Sequence, residues 1–129
     1  MRKNKKIINI IGSTGSIGKN AFEIIKNNLD IFETNILLGF NNIEEIIRQA
    51  EILNPKIIFI SKKHINNLLE PLGLTKIKIF PTEEFVNVLE YESDNFYSDI
   101  TLLSVKGFDG LKLCLDIMPF SKKICISKK

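Results

Sequence analysis

Three glycines three residues apart, Gly12, Gly15 and Gly18, lie between a short apolar run and a helical pattern. In such a turn the first glycine permits the bend, the second lets a ligand approach the backbone, and the third lets the helix pack closely on the strand. Unpaired N–H groups at the helix N-terminus would then face bound phosphates. The spacing therefore predicts a diphosphate-binding turn, and a turn that merely connects strand to helix is the alternative. Three hydroxyl groups would add donors: Ser13, Thr14 and Ser16.

The residues after the second predicted strand bear on which dinucleotide would bind. In NAD-selective domains an acid at the end of that strand usually hydrogen-bonds the adenosine ribose. Here the strand 36–38 runs into Gly39-Phe40-Asn41-Asn42, and the first carboxylate is that of Glu44. The absence of an acid disfavours NAD and permits a ribose 2′-phosphate, but the turn contains no Arg or Lys to bind one.

Apolar runs of strand length alternate with amphipathic runs of helical spacing along the whole chain. This order predicts a doubly wound α/β fold with a mostly parallel, Rossmann-like sheet. The predicted strands are Ile7–Ile11, Asn35–Leu38, Lys56–Ile60, Lys76–Phe80, Ile100–Val105 and Lys123–Ile126. The predicted helices are one through Ala21–Ile25, then Ile43–Leu53, Lys62–Glu70, Glu83–Leu89 with Thr82 as its cap, and Leu111–Met118.

The bulk composition is that of one globular domain. The chain has 129 residues, of which 44% are hydrophobic and 26% charged, and its net charge of +3 is spread along the sequence. An even spread of basic residues disfavours nucleic acid as a partner. No apolar run approaches the length of a membrane span, and the basic N-terminus lacks a signal-peptide core. We therefore expect a cytoplasmic protein without a membrane partner.

Catalytic and metal-binding sets are not evident among the remaining titratable residues. His64 is the only histidine, and its lysine neighbours predict a solvated side chain. The acidic residues between 83 and 94 are typical of helix surfaces and loops, so we predict no metal site. Cys114 and Cys125 lie in apolar stretches and are predicted to be buried thiols in a reducing compartment.

The heptapeptide Gly12–Gly18, directly behind its apolar strand, closely resembles the opening of 1-deoxy-D-xylulose 5-phosphate reductoisomerases. The resemblance runs from about Lys6 to Lys129, and the other matches in register are Asn42, Gly107, Gly110-Leu111 and Lys122-Lys123-Ile124. It implies that residues 1–129 form a dinucleotide-binding domain and that the metal-binding, catalytic and C-terminal domains of the family are absent from this chain.

The family rearranges and reduces deoxyxylulose phosphate to methylerythritol phosphate in isoprenoid precursor synthesis, with NADPH and a divalent metal. By resemblance, Thr14, Gly15, Ser16 and Ile17 would line the dinucleotide phosphates. Asn42 would lie near the adenosine phosphate, and Lys129 would match a lysine that contacts substrate. No catalytic residue is then expected within this chain, and full-length members are expected to be homodimers.

The sequence departs from the family pattern at three turns. The usual Gly-Lys-Asn after the second strand is Phe40-Asn41-Asn42 here, so the cation expected beside the 2′-phosphate is missing. One such charge-assisted bond is worth ~1.5–3 kcal/mol, or roughly a ten- to hundredfold change in affinity. Phe108 stands in a turn that is normally smaller, and Lys128 replaces an asparagine that contacts the cofactor.

Three functions are compatible with these residues. The first is the NADPH-binding domain of a reductoisomerase, inactive by itself because one wall of a cleft cannot hold the substrate against the nicotinamide. The second is a non-catalytic remnant of a truncated gene, which is favoured by the departures at Phe40, Asn41, Asp109 and Lys128. The third is a stand-alone nucleotide-binding module.

Overall fold

The structure, a computed structural model, describes residues 4–91, 97–105 and 107–126, and the side chains of 107–109 fall outside that description. The strands are β1 (Lys6–Ile11), β2 (Phe32–Leu38), β3 (Ile57–Ile60), β4 (Lys78–Pro81), β5 (Ser98–Leu103) and β6 (Ser121–Ile126). The helices are α1 (Ser16–Lys26), α2 (Ile43–Leu53), α3 (Ile65–Leu72), α4 (Phe85–Tyr91) and α5 (Gly107–Ile117). None of the helices in the described ranges is long and apolar enough to cross a membrane.

The described strands form one parallel sheet in the order β4-β3-β2-β1-β5-β6. The chain moves outward from β1 to β4 and then returns to the other side of β1 for β5 and β6. The direction therefore reverses between β1 and β5, and open α/β sheets bind ligands at the carboxyl ends of the strands at such a reversal. The doubly wound, parallel α/β fold predicted from the sequence is confirmed.

Buried side chains form two clusters, one on each face of the sheet. Helices α1 to α3 cover one face, where Phe22 is fully buried, and α4 and α5 cover the other, where Phe85 is buried. Alternate residues of a strand point to opposite faces, so Leu37 joins the first cluster and Leu38 the second. This two-sided burial explains why β1, β3 and residues 36–38 of β2 are nearly continuous apolar runs.

The prediction that Cys125 is buried is wrong, because this residue lies on the edge strand β6. Cys125 on β6 is exposed, whereas Cys114 on α5 is buried as predicted. In the described sheet β6 pairs only with β5, while β1 is flanked by β2 and β5. An apolar stretch therefore does not by itself establish a buried strand, because the strand order decides which strands lie at the edge.

Several element boundaries also differ from the predictions. Lys62–His64 forms a 3₁₀ turn, so that α3 begins three residues later than predicted. A second 3₁₀ turn at Thr82–Glu84 precedes α4. The Thr82 hydroxyl donates to the Gly39 carbonyl oxygen at 3.0 Å and does not cap the helix. This bond ties the turn after β4 to the turn after β2.

Candidate functional site

The turn that follows β1 is anchored to its neighbouring strands. The N–H groups of Gly12 and Ser13 both donate to the Leu38 carbonyl oxygen, at 2.8 and 3.0 Å. Gly12 has a φ of +91°, a left-handed conformation that favours glycine. A Cβ atom here would lie 2.9 Å from both Ser104 Oγ and Val105 Cγ2. Gly12 therefore makes the tight bend that its position predicts.

Gly18 lets α1 pack directly on this turn. The residue is buried in the first turn of the helix. A Cβ atom at Gly18 would lie 2.5 Å from the Ser13 carbonyl oxygen and still closer to the carbonyl oxygen of Gly12. Because these contacts involve backbone atoms, no side-chain movement could relieve them.

Gly15 lies in a different environment from the other two glycines. It is exposed and has an ordinary φ of −78°. Among the described atoms, a Cβ placed on Gly15 would meet only the Gly12 carbonyl oxygen, at 3.7 Å, which is an ordinary contact. The fold therefore has room for a side chain here. Glycine at this position favours a ligand that approaches the backbone from outside.

The N-terminus of α1 is open toward the same side. Gly15 occupies the N-cap position without a side-chain hydrogen bond, and the first turn contains no acidic residue. Ser16 and Ile17 are exposed, and within the described ranges no acceptor is found for their N–H groups. Ser13 is fully buried, so its hydroxyl does not line the open side as the sequence had suggested.

The turn after β2 lies beside the glycine turn. A Cβ atom at Gly39 would lie 3.5 Å from both Cγ2 and Oγ1 of Thr14. Asn42 is exposed at the N-cap of α2, where its side-chain oxygen accepts from the Glu45 N–H at 3.2 Å. The fold thus brings Thr14–Ile17 and Asn42 to the same edge of the sheet, while Lys129 lies outside the described residues.

Gln49 supports the glycine turn from α2, a role that the sequence interpretation missed. Its side chain is fully buried, and Nε2 donates to the Ser13 carbonyl oxygen at 2.9 Å and to Glu45 Oε2 at 2.9 Å. Gln49 lies on the helix face that also buries Ile46 and Leu53. A polar residue on a buried face needs a hydrogen-bond partner, so this position was a detectable signal.

A charged pair on α2 continues this network. Arg48 Nε and Nη2 donate to the two oxygens of the Glu45 carboxylate, at 3.2 and 2.9 Å. The bonds from Arg48 lower the pKa of Glu45, with a smaller contribution in the same direction from Gln49. Arg48 also lies over the Phe22 ring, 4.7 Å from its centroid. Glu45 therefore links the helix surface to the support of the glycine turn.

We expect Glu45→Gln to weaken the pH dependence of folding stability in acid. Because the pKa of Glu45 is lowered in the folded chain, its ionised form stabilises the fold above the unfolded pKa, and this contribution is lost as the pH falls through the folded pKa. Urea unfolding followed by circular dichroism between about pH 7 and about pH 3 would measure the slope. Exposed Glu44→Gln serves as the matched control. Equal slopes for the two variants would contradict the prediction.

One cavity lies beside the glycine turn and another beside the turn after β2. One of about 200 Å³ lies between α1 and the ends of β5 and β6, with a mostly apolar wall that includes Ile17, Leu102 and Ile126. The other, of about 770 Å³, lies beyond the turn after β2 and is bordered by Asn41 and Lys62. An elongated ligand that crosses the turn could therefore meet an apolar wall at one end and a cationic wall at the other.

The lone histidine is partly buried, which differs from the solvated side chain predicted for it. His64 Nε2 lies 3.1 Å from Asn41 Oδ1 and so joins the turns after β3 and β2. Within the described ranges, no group of three or more His, Cys, Asp or Glu residues is placed to hold a metal ion.

Comparison of the whole sequence with known protein families identifies the family of this chain. Residues 8–129 match the family model of 1-deoxy-D-xylulose 5-phosphate reductoisomerase. The chain belongs to this reductoisomerase family. The recognition that was based on the heptapeptide Gly12–Gly18 is thereby confirmed.

Reductoisomerase relatives match nearly all of the chain. The enzyme of Pelagibacter ubique is 34% identical over 127 residues, which are 96% of this chain and 32% of the relative. The chain thus spans about a third of the length of the relatives that it matches.

Solved reductoisomerases share the fold of this chain. A structure from Zymomonas mobilis in complex with NADPH has a TM-score of 0.83 and 23% identity, covering 95% of this chain and 32% of that one. A complex with NADPH, fosmidomycin and magnesium has a TM-score of 0.79 and 24% identity, covering 92% and 29%. At this level of identity the comparison establishes the fold alone.

The positions where this chain departs from the reductoisomerase pattern fall into two groups. Asn41 is described, exposed, and bonded to His64. Lys128 lies outside the described residues, as does the side chain of Phe108. The expectations for Lys128 and Phe108 therefore stay predictions, as does the role that the resemblance implies for Lys129.

Proposed function

We propose that residues 1–129 bind NADPH as the dinucleotide-binding unit of a reductoisomerase that acts on 1-deoxy-D-xylulose 5-phosphate. The observation that carries the proposal is the open backbone at Gly15, beside an uncapped helix N-terminus at the sheet's reversal point. Family membership favours cofactor binding at this turn, because the same turn in an unrelated chain could simply connect a strand to a helix. The cytoplasmic location expected from the sequence stays a prediction.

The diphosphate would lie against the turn between β1 and α1. The N–H groups of Ser16 and Ile17 would donate to it, and the Thr14 and Ser16 hydroxyls would add side-chain donors. The positive end of α1 points to the same side, and no acid in its first turn opposes an anion. Asn42 would lie near the adenosine end, since the adenosine half of a dinucleotide binds beside the second strand.

The apolar cavity beside α1 would take the other end of the cofactor. Ile17 and Ile126 line it, and an apolar wall of this kind excludes water from a bound ring. When bound, NADPH supplies a hydride to the substrate. The described residues offer no metal-ligand cluster, so we assign no metal-dependent step to this part of the chain.

The proposal predicts binding without turnover. Titration of the purified 129-residue chain with NADPH, followed by cofactor fluorescence and calorimetry, should show saturable binding at one site. Deoxyxylulose phosphate and magnesium added to that complex should give no oxidation of NADPH, because residues 1–129 span only about a third of the length of the reductoisomerases that they match.

The outcome of that titration separates the alternatives. Binding of NADPH without turnover supports the domain proposed here. Indifference to both NADPH and NADH would overturn it and leave the non-catalytic remnant. Tight binding of a mononucleotide such as AMP, with no gain from the nicotinamide half, would favour a stand-alone nucleotide module.

A further inference from the structure

The turn after β3 places three basic residues beside the turn after β2. The parallel register pairs Leu38 with Phe59, and the Ser61 N–H continues the ladder by donating to the Phe40 carbonyl oxygen at 3.1 Å. The next residues along the two strands are therefore neighbours at the edge of the sheet. They are Asn41 on one side and Lys62, Lys63 and His64 on the other.

Asn41, Lys62 and Lys63 line one open cavity of about 770 Å³, whose wall also includes Glu83. Both lysines are exposed. None of the ion pairs between described residues includes either of them. Their charges are therefore available to a ligand that enters from solvent.

We propose that Lys62 and Lys63 bind the 2′-phosphate of NADPH and replace the cation that the turn after β2 lacks. This inference rests on the proposed function, because it requires the dinucleotide to lie across the turn of β1. The adenosine ribose then falls at the end of β2, where no carboxylate stands before Glu44. A phosphate dianion at that point needs a cation, and the cations that share a cavity with Asn41 come from the neighbouring strand.

His64 orients the side-chain amide of Asn41 toward the same ligand. Its Nε2 lies 3.1 Å from Asn41 Oδ1, and an amide oxygen can only accept, so the histidine donates this bond. The side-chain NH₂ of Asn41 therefore remains available to donate a hydrogen bond to a phosphate oxygen. Asn41 then adds a neutral hydrogen bond where the two lysines provide the charge.

Glu83 places a negative charge in the wall of the same cavity, where it would repel a phosphate. Its Oε1 accepts from the Lys62 N–H at 3.0 Å, which fixes a carboxylate beside the lysine pair. A carboxylate in the same cavity weakens the binding of an anion through repulsion between like charges. Removing the Glu83 charge should therefore change cofactor preference in the direction opposite to removing the lysines.

The test compares the dissociation constants of NADPH and NADH by calorimetry at fixed low salt, because NADH lacks only the 2′-phosphate. In Lys62→Ser/Lys63→Ser we expect the preference for NADPH over NADH to fall about tenfold or more, with NADH affinity nearly unchanged. Glu83→Gln should raise that preference. Asn41→Lys added to the lysine double variant should restore it.

The matched control is Lys122→Ser/Lys123→Ser, which removes the same two charges from exposed positions on β6 at the opposite side of the sheet. It should leave the preference unchanged. An unchanged preference for NADPH in Lys62→Ser/Lys63→Ser would overturn the inference, and so would an equal loss of preference in both double variants. In either case, NADPH binding by the parent chain would still support the proposed function. Failure of the parent chain to bind either dinucleotide would overturn both.

Discussion

Gly15→Val is expected to lower the affinity for NADPH more than a hundredfold while the chain stays folded. The valine side chain would occupy the space from which a diphosphate approaches the exposed backbone at this position. Loss of two charge-assisted bonds, each worth ~1.5–3 kcal/mol, accounts for an effect of this size. Apart from its neighbours in the chain, the nearest described atom to the new Cβ would be the Gly12 carbonyl oxygen, at 3.7 Å. The Cβ would therefore make no steric clash with the fold.

Calorimetric titration with NADPH and urea unfolding of the same preparation would measure the two halves of this prediction. The free energy of unfolding should stay within about 1 kcal/mol, because the poorer N-cap is offset by the lower entropy of the unfolded chain. Asn67→Val, which places the same side chain on an exposed face of α3, is the control. Parent-like affinity in Gly15→Val would refute the role of the turn.

Gly18→Ala is expected to destabilise the fold by about 3 kcal/mol, at the upper end of the cost of overpacking. At most interior helix positions this change would stabilise by up to about 1 kcal/mol, since alanine is the better helix former. Here the added Cβ would press on the carbonyl oxygens of Gly12 and Ser13. Those atoms cannot withdraw freely, because Leu38 and Gln49 hold the turn in place.

Urea unfolding followed by circular dichroism would measure this loss, with Gly15→Ala as the matched control. The two variants make the same chemical change three residues apart, one against backbone and one into open space. Gly15→Ala should unfold within about 0.5 kcal/mol of the parent, as surface substitutions usually do. A Gly18→Ala variant as stable as Gly15→Ala would show that α1 can shift away from the turn.

Much of the fold could be predicted because its signals are local. β1 and β3 lie within one residue of their predicted bounds, and α2 runs from Ile43 to Leu53 as predicted. Asn42 caps that helix through a bond to the backbone three positions on. The error at Cys125 has a different origin, because no local pattern tells an edge strand from a central one.

The candidate site was predicted only in part, for a similar reason. The glycine spacing located the turn, but it did not show that Gly15 alone is left open, which depends on where Ser104 and Val105 lie around Gly12. The buried Gln49 was missed because its partner, the Ser13 carbonyl oxygen, lies 36 positions earlier in the chain.

The amino-acid sequence alone determined where the backbone of this protein can bend, which stretches are apolar enough for a parallel sheet, and that the end of β2 carries no acid. Each of these properties depends on residues close together in the chain. Only the tertiary structure decided that the lysines after β3 stand beside Asn41, joined to it across 23 positions through His64. The register of the strand pair brings these distant residues together, and a residue's own neighbours in the chain do not encode that register.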